Sequence, residues 1–119
     1  MKILLVDDDA FLRDMYATKF AEAGDAVDVA TNGTEALQKL RDSTFDVVVT
    51  DMVMPGMSGL DLLKQIKTEQ RDSPCKFVVL SNQGESSDLA AAEELGVDGY
   101  IIKAESIPSE VVKQVHEIV

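Results

Sequence analysis

Three acidic residues, a hydroxyl and an ammonium group follow short apolar runs of the sequence, and together they could carry out phosphoryl chemistry. They are Asp7, Asp8, Asp51, Ser81 and Lys103. If the side chains converge, two carboxylates about 4 Å apart repel each other by roughly 4 kcal/mol at an effective dielectric constant near 20. A divalent cation held by oxygen ligands, typically Mg2+, offsets that repulsion, and so does a lysine ammonium. Such a site is equipped to take a phosphoryl group onto a free carboxylate oxygen.

The apolar runs before these residues predict five β-strands. The runs at 2–6, 45–49 and 76–80 are almost continuously apolar, which is typical of strands buried on both faces. The runs at 26–30 and 99–102 are weaker and predict strands at the edges of the sheet. In an open parallel sheet, ligands bind beyond the carboxyl ends of the strands. The polar residues therefore stand where such a fold does its chemistry.

Helical patterns alternate with these strands. Apolar spacing and capping residues predict helices at 10–23, after Asn32, after Ser58, at 84–95 and from about Pro108 onwards. This alternation implies a parallel sheet covered by helices on both faces. We therefore predict an α/β fold of the flavodoxin-like type, a doubly wound five-stranded sheet in the order 2-1-3-4-5 with five helices. The length of 119 residues suits a single domain, 1–119.

The composition excludes several classes of protein. The formal net charge is -11 and the 11 basic residues form no block, so we do not expect direct nucleic-acid binding. No apolar run could span a bilayer, and the N-terminal run is too short for a signal peptide, so we expect a cytoplasmic protein without membrane contact. Cys75 is the only cysteine, which rules out an internal disulfide and a cysteine-based zinc cluster.

Four motifs give the chain a resemblance to a known family. They are ILLVDDD, VVVTDMVMPGMSG, VVLS and GYIIK. With them the chain resembles, over its whole length, the receiver domain of two-component response regulators, the family that includes the bacterial chemotaxis response regulator. The resemblance implies that Asp51 accepts a phosphoryl group from a histidine kinase or a phosphotransfer protein. It also implies a Mg2+ site in which Asp8, Asp51 and the backbone carbonyl of Val53 bind the ion, while Asp7 binds mostly through water.

The same resemblance implies a switch, so we expect no enzyme activity beyond the chain's own phosphorylation and dephosphorylation. Lys103 would hold a phosphoryl oxygen, Ser81 would move towards the new phosphate, and Tyr100 would follow by swinging inward. The fourth helix, the fifth strand and the fifth helix would then form the output surface for a downstream protein or domain. Segment 86–95 has no basic residue and the last helix has only Lys113 as lysine or arginine. The ion-pair dimer of transcriptional members is therefore not expected, and we expect a monomer before phosphorylation.

Three positions depart from the family pattern. The family usually has a cis proline after the lysine, whereas this chain has Ala104. Because a non-proline cis bond costs about 3 kcal/mol, the Lys103–Ala104 bond is either trans with a reshaped loop or cis under strain. The residues two positions after the phosphoacceptor and two after the serine, which in the family influence how water reaches the phosphate, are Val53 and Gln83. An apolar Val53 cannot orient an attacking water, so we expect slow self-dephosphorylation.

Two other functions stay open on the residues alone. The first is a receiver-like module that binds partners without being phosphorylated; Ala104 favours it, whereas the retained Asp8, Asp51, Ser81 and Lys103 argue against it. The second is a small phosphatase of the haloacid dehalogenase type, which also uses an aspartate at a strand end as nucleophile. That family expects a second aspartate two residues later as general acid, and this chain has an apolar residue there.

Overall fold

The computed structural model describes residues 1–69, 74–81, 86–103 and 107–118. Strands and helices alternate along the chain. The strands are β1 (Lys2–Val6), β2 (Ala26–Ala30), β3 (Val47–Asp51), β4 (Lys76–Ser81) and β5 (Gly99–Ile102). The helices are α1 (Ala10–Glu22), α2 (Gly33–Asp42), α3 (Gly59–Glu69), α4 (Ser86–Leu95) and α5 (Pro108–Ile118).

The strands pair in parallel and form one sheet in the order β2-β1-β3-β4-β5. The predicted flavodoxin-like α/β fold with strand order 2-1-3-4-5 is confirmed. The three most apolar strands, β1, β3 and β4, lie in the centre of the sheet, where helices cover both of their faces. At one edge, β2 exposes Ala26 and Asp28 between half-buried valines, as predicted for an edge strand with one partly wet side.

Each face of the sheet packs against its own helices, because successive side chains of a strand point to opposite faces. On the first face, Ile3 and Leu5 of β1 pack with Tyr16 and Phe20 of α1 and with valines of α5. We call this the α1–α5 face. On the other face, leucines of α2 and α3 cover the sheet. Burial of each such side chain contributes about 2 kcal/mol, and this packing holds the strand ends in fixed positions.

Capping side chains determine where three of the helices begin. Asp9 caps α1 and Asn32 caps α2, each by accepting the backbone N–H of the residue three positions later, at 3.1 and 2.8 Å. Ser58 and Asp61 form a reciprocal pair before α3, in which each side chain accepts the backbone N–H of the other residue. These caps fix the loops that follow β1 and β3.

Two strands end later in the chain than the apolar runs predict. The sequence predicts a strand at 45–49, whereas β3 begins at Val47 and ends at Asp51. Pairing with the neighbouring strands sets these limits, since the register with β1 and β4 begins at Val47. In the same way β4 extends to Ser81. Asp51 and Ser81 are therefore the last residues of strands, which restricts their backbones more than a loop would. The predicted start of the fourth helix at residue 84 lies outside the described residues.

Candidate functional site

The carboxyl ends of four neighbouring strands bring the predicted polar residues to one edge of the sheet. Asp51 is the last residue of β3 and Ser81 is the last residue of β4. Asp7 directly follows β1, and Lys103 directly follows β5. Because β1, β3, β4 and β5 are adjacent in that order, residues far apart in sequence converge, as the sequence predicted.

Three carboxylates form the acidic part of the site. Asp7, Asp8 and Asp51 each offer one oxygen, and these oxygens lie within 4.8 Å of one another. Asp7 is 1% exposed and Asp51 is 7% exposed, whereas Asp8 is exposed. Carboxylate oxygens are the ligands that a hard cation such as Mg2+ prefers. The donor set fits Mg2+, and the exposed Asp8 leaves the cluster open to an ion from solution.

The ammonium of Lys103 neutralises part of this charge. Its Nζ donates a hydrogen bond to Oδ2 of Asp7 at 3.0 Å and lies 3.4 Å from Oδ2 of Asp51. The Lys103 side chain is 6% exposed, so water screens these ion pairs only weakly. One ammonium against three carboxylates leaves two negative charges without compensation. A divalent cation would neutralise them.

Backbone contacts hold Asp7 in a fixed orientation. Its N–H donates to the carbonyl of Ala30 at the end of β2 (3.1 Å), and its carbonyl accepts a hydrogen bond from Nη1 of Arg13 (3.0 Å). Its Oδ1 accepts the N–H of Asp9 at 2.9 Å, and its Oδ2 accepts from Lys103. Both carboxylate oxygens of Asp7 therefore already have partners, which favours contact with an ion through a water molecule.

Burial and the neighbouring charges together shift the pKa values of Asp51 and Lys103. Burial raises the pKa of Asp51 above its ordinary value of 3.8; the attraction of Lys103 opposes the rise, and Asp7 and Asp8 reinforce it. Burial lowers the pKa of Lys103, but the attraction of Asp51 and Asp7 outweighs it, so that the pKa of Lys103 is raised overall. Asp51 thus carries a negative charge that costs free energy in the folded chain. Binding a cation would lower that cost.

The other predicted site residues lie around this centre. Ser81 is 4% exposed and directly follows Leu80, the pairing partner of Asp51 in the sheet. Val53 lies in the loop after β3, and its side chain is 75% exposed. Tyr100 is half-buried on the edge strand β5. The structure therefore brings Ser81 and Val53 close to Asp51 along the chain or across the sheet, while Tyr100 stands at the edge.

Two predicted features lie outside the described residues. One is Gln83, the residue two positions after Ser81. The other is the peptide bond between Lys103 and Ala104, since Ala104 is not among the described residues. Both alternatives for the Lys103–Ala104 bond, trans with a reshaped loop and cis under strain, therefore stay open.

Tyr16 also belongs to this neighbourhood, although no motif of the sequence pointed to it. The residue is 3% exposed and packs on the α1–α5 face. Burial raises the pKa of its hydroxyl, the positive charge of Lys103 opposes the rise, and the charges of Asp7 and Asp51 add to it. The hydroxyl is therefore within electrostatic reach of all three groups and stays protonated at neutral pH.

Helical spacing is the signal that could have identified Tyr16. Leu12, Tyr16 and Phe20 are four residues apart, and they form the inward side of α1, with Leu12 partly buried and the two aromatic residues buried. Phe11 lies in the same apolar stretch but is 75% exposed. Hydrophobicity alone therefore does not separate the inward and outward residues of this helix.

The Gly59→Ala substitution is expected to destabilise the chain by about 3 kcal/mol, the upper end for overpacking a well-packed site. An added Cβ would overlap the carbonyl oxygen of Asp51 and lie 3.2 Å from its carbonyl carbon, and neither backbone atom can turn aside. Gly99→Ala is the matched control, because its Cβ would mainly meet the flexible Cδ1 end of Ile118. Urea unfolding of both variants measures the difference, and equal free energies of unfolding would contradict this packing.

Comparisons with known proteins find relatives of this chain in sequence and in structure. A family model described as "Response regulator receiver domain" matches residues 3–116. The two-component response regulator PhoP of Pseudomonas aeruginosa is 34% identical over 103 residues, which cover 87% of this chain and 45% of that protein. The chemotaxis protein CheY of Thermotoga maritima is 34% identical over 118 residues, which cover 98% of this chain and 96% of that protein. The chain thus spans about half the length of PhoP and nearly all of CheY.

A solved structure of a response regulator protein is also similar to this chain. The response regulator protein TrrA of Thermotoga maritima, in complex with Mg2+ and BeF, superposes with a TM-score of 0.84 at 31% sequence identity, covering 99% of this chain and 98% of that one. Among the helices of the described ranges, none has the length and apolar character that crossing a membrane requires.

Proposed function

Because the chain belongs to the response regulator receiver family of two-component systems, we propose that it is a phosphorylation-dependent signalling switch. Asp51 accepts a phosphoryl group from a histidine kinase or a phosphotransfer protein. The observation that carries the proposal is the cluster of Asp7, Asp8 and Asp51 with the Lys103 ammonium 3.4 Å from Asp51. A structural role alone does not require three carboxylates to converge beside a buried lysine, since their repulsion opposes folding.

In the proposed reaction a carboxylate oxygen of Asp51 attacks the phosphorus atom of the donor. A new O–P bond forms at Asp51, and the bond from phosphorus to the donor breaks with its electron pair leaving on the donor. Asp8, Asp51 and the carbonyl of Val53 would hold Mg2+, with Asp7 contacting it through water. When bound, Mg2+ supplies positive charge to the phosphoryl oxygens. Lys103 turns from Asp51 towards a phosphoryl oxygen.

The response follows from the added charge. A phosphoryl group brings between one and two further negative charges at neutral pH, into a cluster that already has excess negative charge. Ser81, which is buried at the end of β4, moves towards the phosphoryl group, and Tyr100 swings inward after it. This closure shifts a pre-existing equilibrium of the surface formed by α4, β5 and α5. That surface then binds a downstream protein or domain.

Three further features belong to the same proposal. The chain catalyses only its own phosphorylation and dephosphorylation and acts on no other substrate. It is monomeric before phosphorylation, because segment 86–95 carries no lysine or arginine for an ion-pair dimer. It works in the cytoplasm, where its kinase supplies the phosphoryl group, without direct contact with membrane or nucleic acid.

Intact-mass spectrometry after incubation with acetyl phosphate tests the proposal. The chain is expected to gain one phosphoryl group when Mg2+ is present and none when the metal is chelated. A module that binds partners without phosphorylation would gain none in either condition, and a phosphatase would release phosphate without retaining the group. A control receiver domain labelled in parallel establishes that the donor is active.

The Asp8→Asn variant is expected to bind Mg2+ more weakly by on the order of 100-fold, or about 2.7 kcal/mol, because it removes one charged ligand from the cluster. Asp8 is exposed, so the substitution leaves the core intact. Asp14→Asn is the matched control, since Asp14 is an exposed aspartate of α1 outside the cluster. Isothermal titration with Mg2+ measures both variants, and wild-type affinity in Asp8→Asn would remove Asp8 from the metal site.

The phosphorylated chain is expected to lose its phosphoryl group slowly. Val53 has an apolar side chain that is 75% exposed and cannot direct a water molecule at the phosphorus atom. Decay of the intact-mass adduct after removal of acetyl phosphate, in the presence of Mg2+, measures the half-life. A half-life of only seconds would contradict the expectation.

A further inference from the structure

Tyr16 is almost fully buried, and its hydroxyl is a polar group beside the proposed phosphorylation site that the reaction described above does not use. Tyr16 is 3% exposed. Its ring packs in the apolar cluster of the α1–α5 face with Leu5, Val49 and Ile101. A phenylalanine would fill this space equally well without bringing a hydroxyl into a core. Packing of the ring therefore does not explain why this residue carries a hydroxyl.

The alternation of side chains along the strands places the site next to this cluster, at the carboxyl ends of the same strands. Asp7, Asp51 and Lys103 each lie two positions beyond a strand residue of the cluster, namely Leu5, Val49 and Ile101. Residues two apart along a strand point to the same face. The two acids and the lysine therefore continue the α1–α5 face on which Tyr16 packs.

The direction of α1 points the Tyr16 ring towards the site. Side chains of a helix lean towards its N-terminus. The N-terminus of α1 begins at the Asp9 cap, whose own N–H donates to Oδ1 of Asp7. The charges of Lys103, Asp7 and Asp51 all act on the Tyr16 hydroxyl, and that of Lys103 is the largest of the three. The hydroxyl thus lies on the α1 side of the site, within electrostatic reach of Lys103.

The Tyr16 hydroxyl can still donate and accept hydrogen bonds. Among the residues that the structure describes, none forms a hydrogen bond with the Tyr16 hydroxyl, and none has a fully buried polar side-chain atom without a partner. The Tyr16 hydroxyl is therefore not completely shielded from solvent, although the residue as a whole is 3% exposed. Lys103 has matching capacity, since an ammonium has three donors. One donates to Asp7 and a second lies near Asp51.

We propose that the Tyr16 hydroxyl is the third hydrogen-bond acceptor for the Lys103 ammonium, through one water molecule, and that it positions Lys103 for the phosphoryl group on Asp51. This inference rests on the proposed function. When Lys103 turns from Asp51 to a phosphoryl oxygen, one of its ion-pair contacts is lost. A fixed acceptor on α1 restricts that movement to a short rotation. Tyr16 is a positioning residue, because it acts through Lys103.

Tyr16→Phe tests the inference, because it removes the hydroxyl and keeps the ring that packs in the core. Beryllofluoride with Mg2+ serves as the phosphoryl mimic. We expect Tyr16→Phe to bind beryllofluoride roughly tenfold more weakly than the wild type, as losing a hydrogen bond to a charged group predicts. The affinity for Mg2+ alone is expected to stay unchanged, because the proposed role of Tyr16 is to position Lys103 and not to bind the ion.

A spectroscopic measurement separates positioning from packing. The chain has two tyrosines and no tryptophan, so 13C labelling of the tyrosine Cζ atoms gives two NMR signals, which Tyr16→Phe and Tyr100→Phe assign. We expect the Tyr16 signal to shift when beryllofluoride binds and Lys103 moves. A Tyr16 signal that does not shift, or a Tyr16→Phe variant with wild-type affinity for beryllofluoride, would overturn the inference while the proposed function stands. Failure of the wild type itself to bind beryllofluoride would instead overturn the proposed function.

Discussion

The Asp51→Asn variant is expected to take up no phosphoryl group from acetyl phosphate under conditions in which the wild-type chain gains one. The amide has nearly the shape of the carboxylate but lacks the anionic oxygen that attacks phosphorus. Asp7 cannot replace it, because both of its carboxylate oxygens are already bound by Asp9 and Lys103. Intact-mass spectrometry of both proteins measures the effect.

Asp14→Asn is the matched control for this loss, because it removes a carboxylate on the exposed side of α1. It is expected to be labelled as the wild type is. Retention of full labelling in Asp51→Asn would identify another acceptor and contradict the proposed role of Asp51. Circular dichroism of Asp51→Asn, unchanged from the wild type, would show that the loss of labelling is chemical.

The same variant has an expected effect on stability whose sign follows from the pKa of Asp51. Folding raises that pKa above 3.8, so the folded chain favours the protonated carboxyl. This contribution to stability is fully present below pH 3.8 and is lost as the pH rises through the raised pKa. At neutral pH without metal, Asp51→Asn is therefore expected to be more stable than the wild type, by on the order of 1 kcal/mol. The difference should vanish in acid, and Mg2+ should reduce it.

The Lys103→Met variant is expected to lose about 3 kcal/mol of stability without Mg2+, since removing one partner of a buried ion pair leaves the other charge uncompensated. Lys103 is 6% exposed and contacts both Asp7 and Asp51. Methionine is unbranched and only one heavy atom shorter than lysine, so the loss reports mainly the ammonium and not a cavity. Mg2+ is expected to restore part of the stability, because it neutralises the same carboxylates.

The pH dependence of unfolding distinguishes this account from a simple packing defect. The pKa of Lys103 is raised above its ordinary value of 10.5 in the folded chain. Its contribution to stability is therefore fully present below pH 10.5 and is lost as the pH rises through the raised pKa. Lys103→Met should lack this alkaline loss. Lys113→Ala, on the exposed side of α5, is the control that should retain it, and equal stability of Lys103→Met and the wild type at neutral pH would contradict the account.

The sequence was sufficient to predict which residues lie at the centre of the candidate site, because it shows both their chemical types and their positions at the ends of predicted strands. The apolar runs mark the buried strands, and the first polar residue after each run must lie at the carboxyl edge of a parallel sheet. Asp7 and Lys103 follow from this rule without knowledge of any contact, and Asp51 stands one residue further along, after Thr50. The order of the strands follows from their hydrophobicity, since the most apolar strands occupy the centre.

What the sequence did not predict depends on contacts between distant segments. The limits of β3 at Val47 and Asp51 are set by pairing with β1 and β4, whereas the apolar run alone places the strand two residues earlier. The sequence analysis did not single out Tyr16, because its proximity to the candidate site depends on which side of α1 faces the sheet. The exposed Phe11 illustrates the difficulty, since it lies in the same apolar stretch and points outward.

The measurement that tests the central claim most directly is the location of the phosphoryl group. Borohydride reduces an aspartyl phosphate to homoserine, whereas a free carboxylate is not reduced. After incubation with acetyl phosphate and Mg2+, followed by reduction and proteolysis, peptide sequencing by mass spectrometry is predicted to find homoserine in place of Asp51. Homoserine at Asp7 or Asp8, or no homoserine in a chain that has gained the phosphoryl mass, would contradict the assignment of Asp51 as the phosphoacceptor.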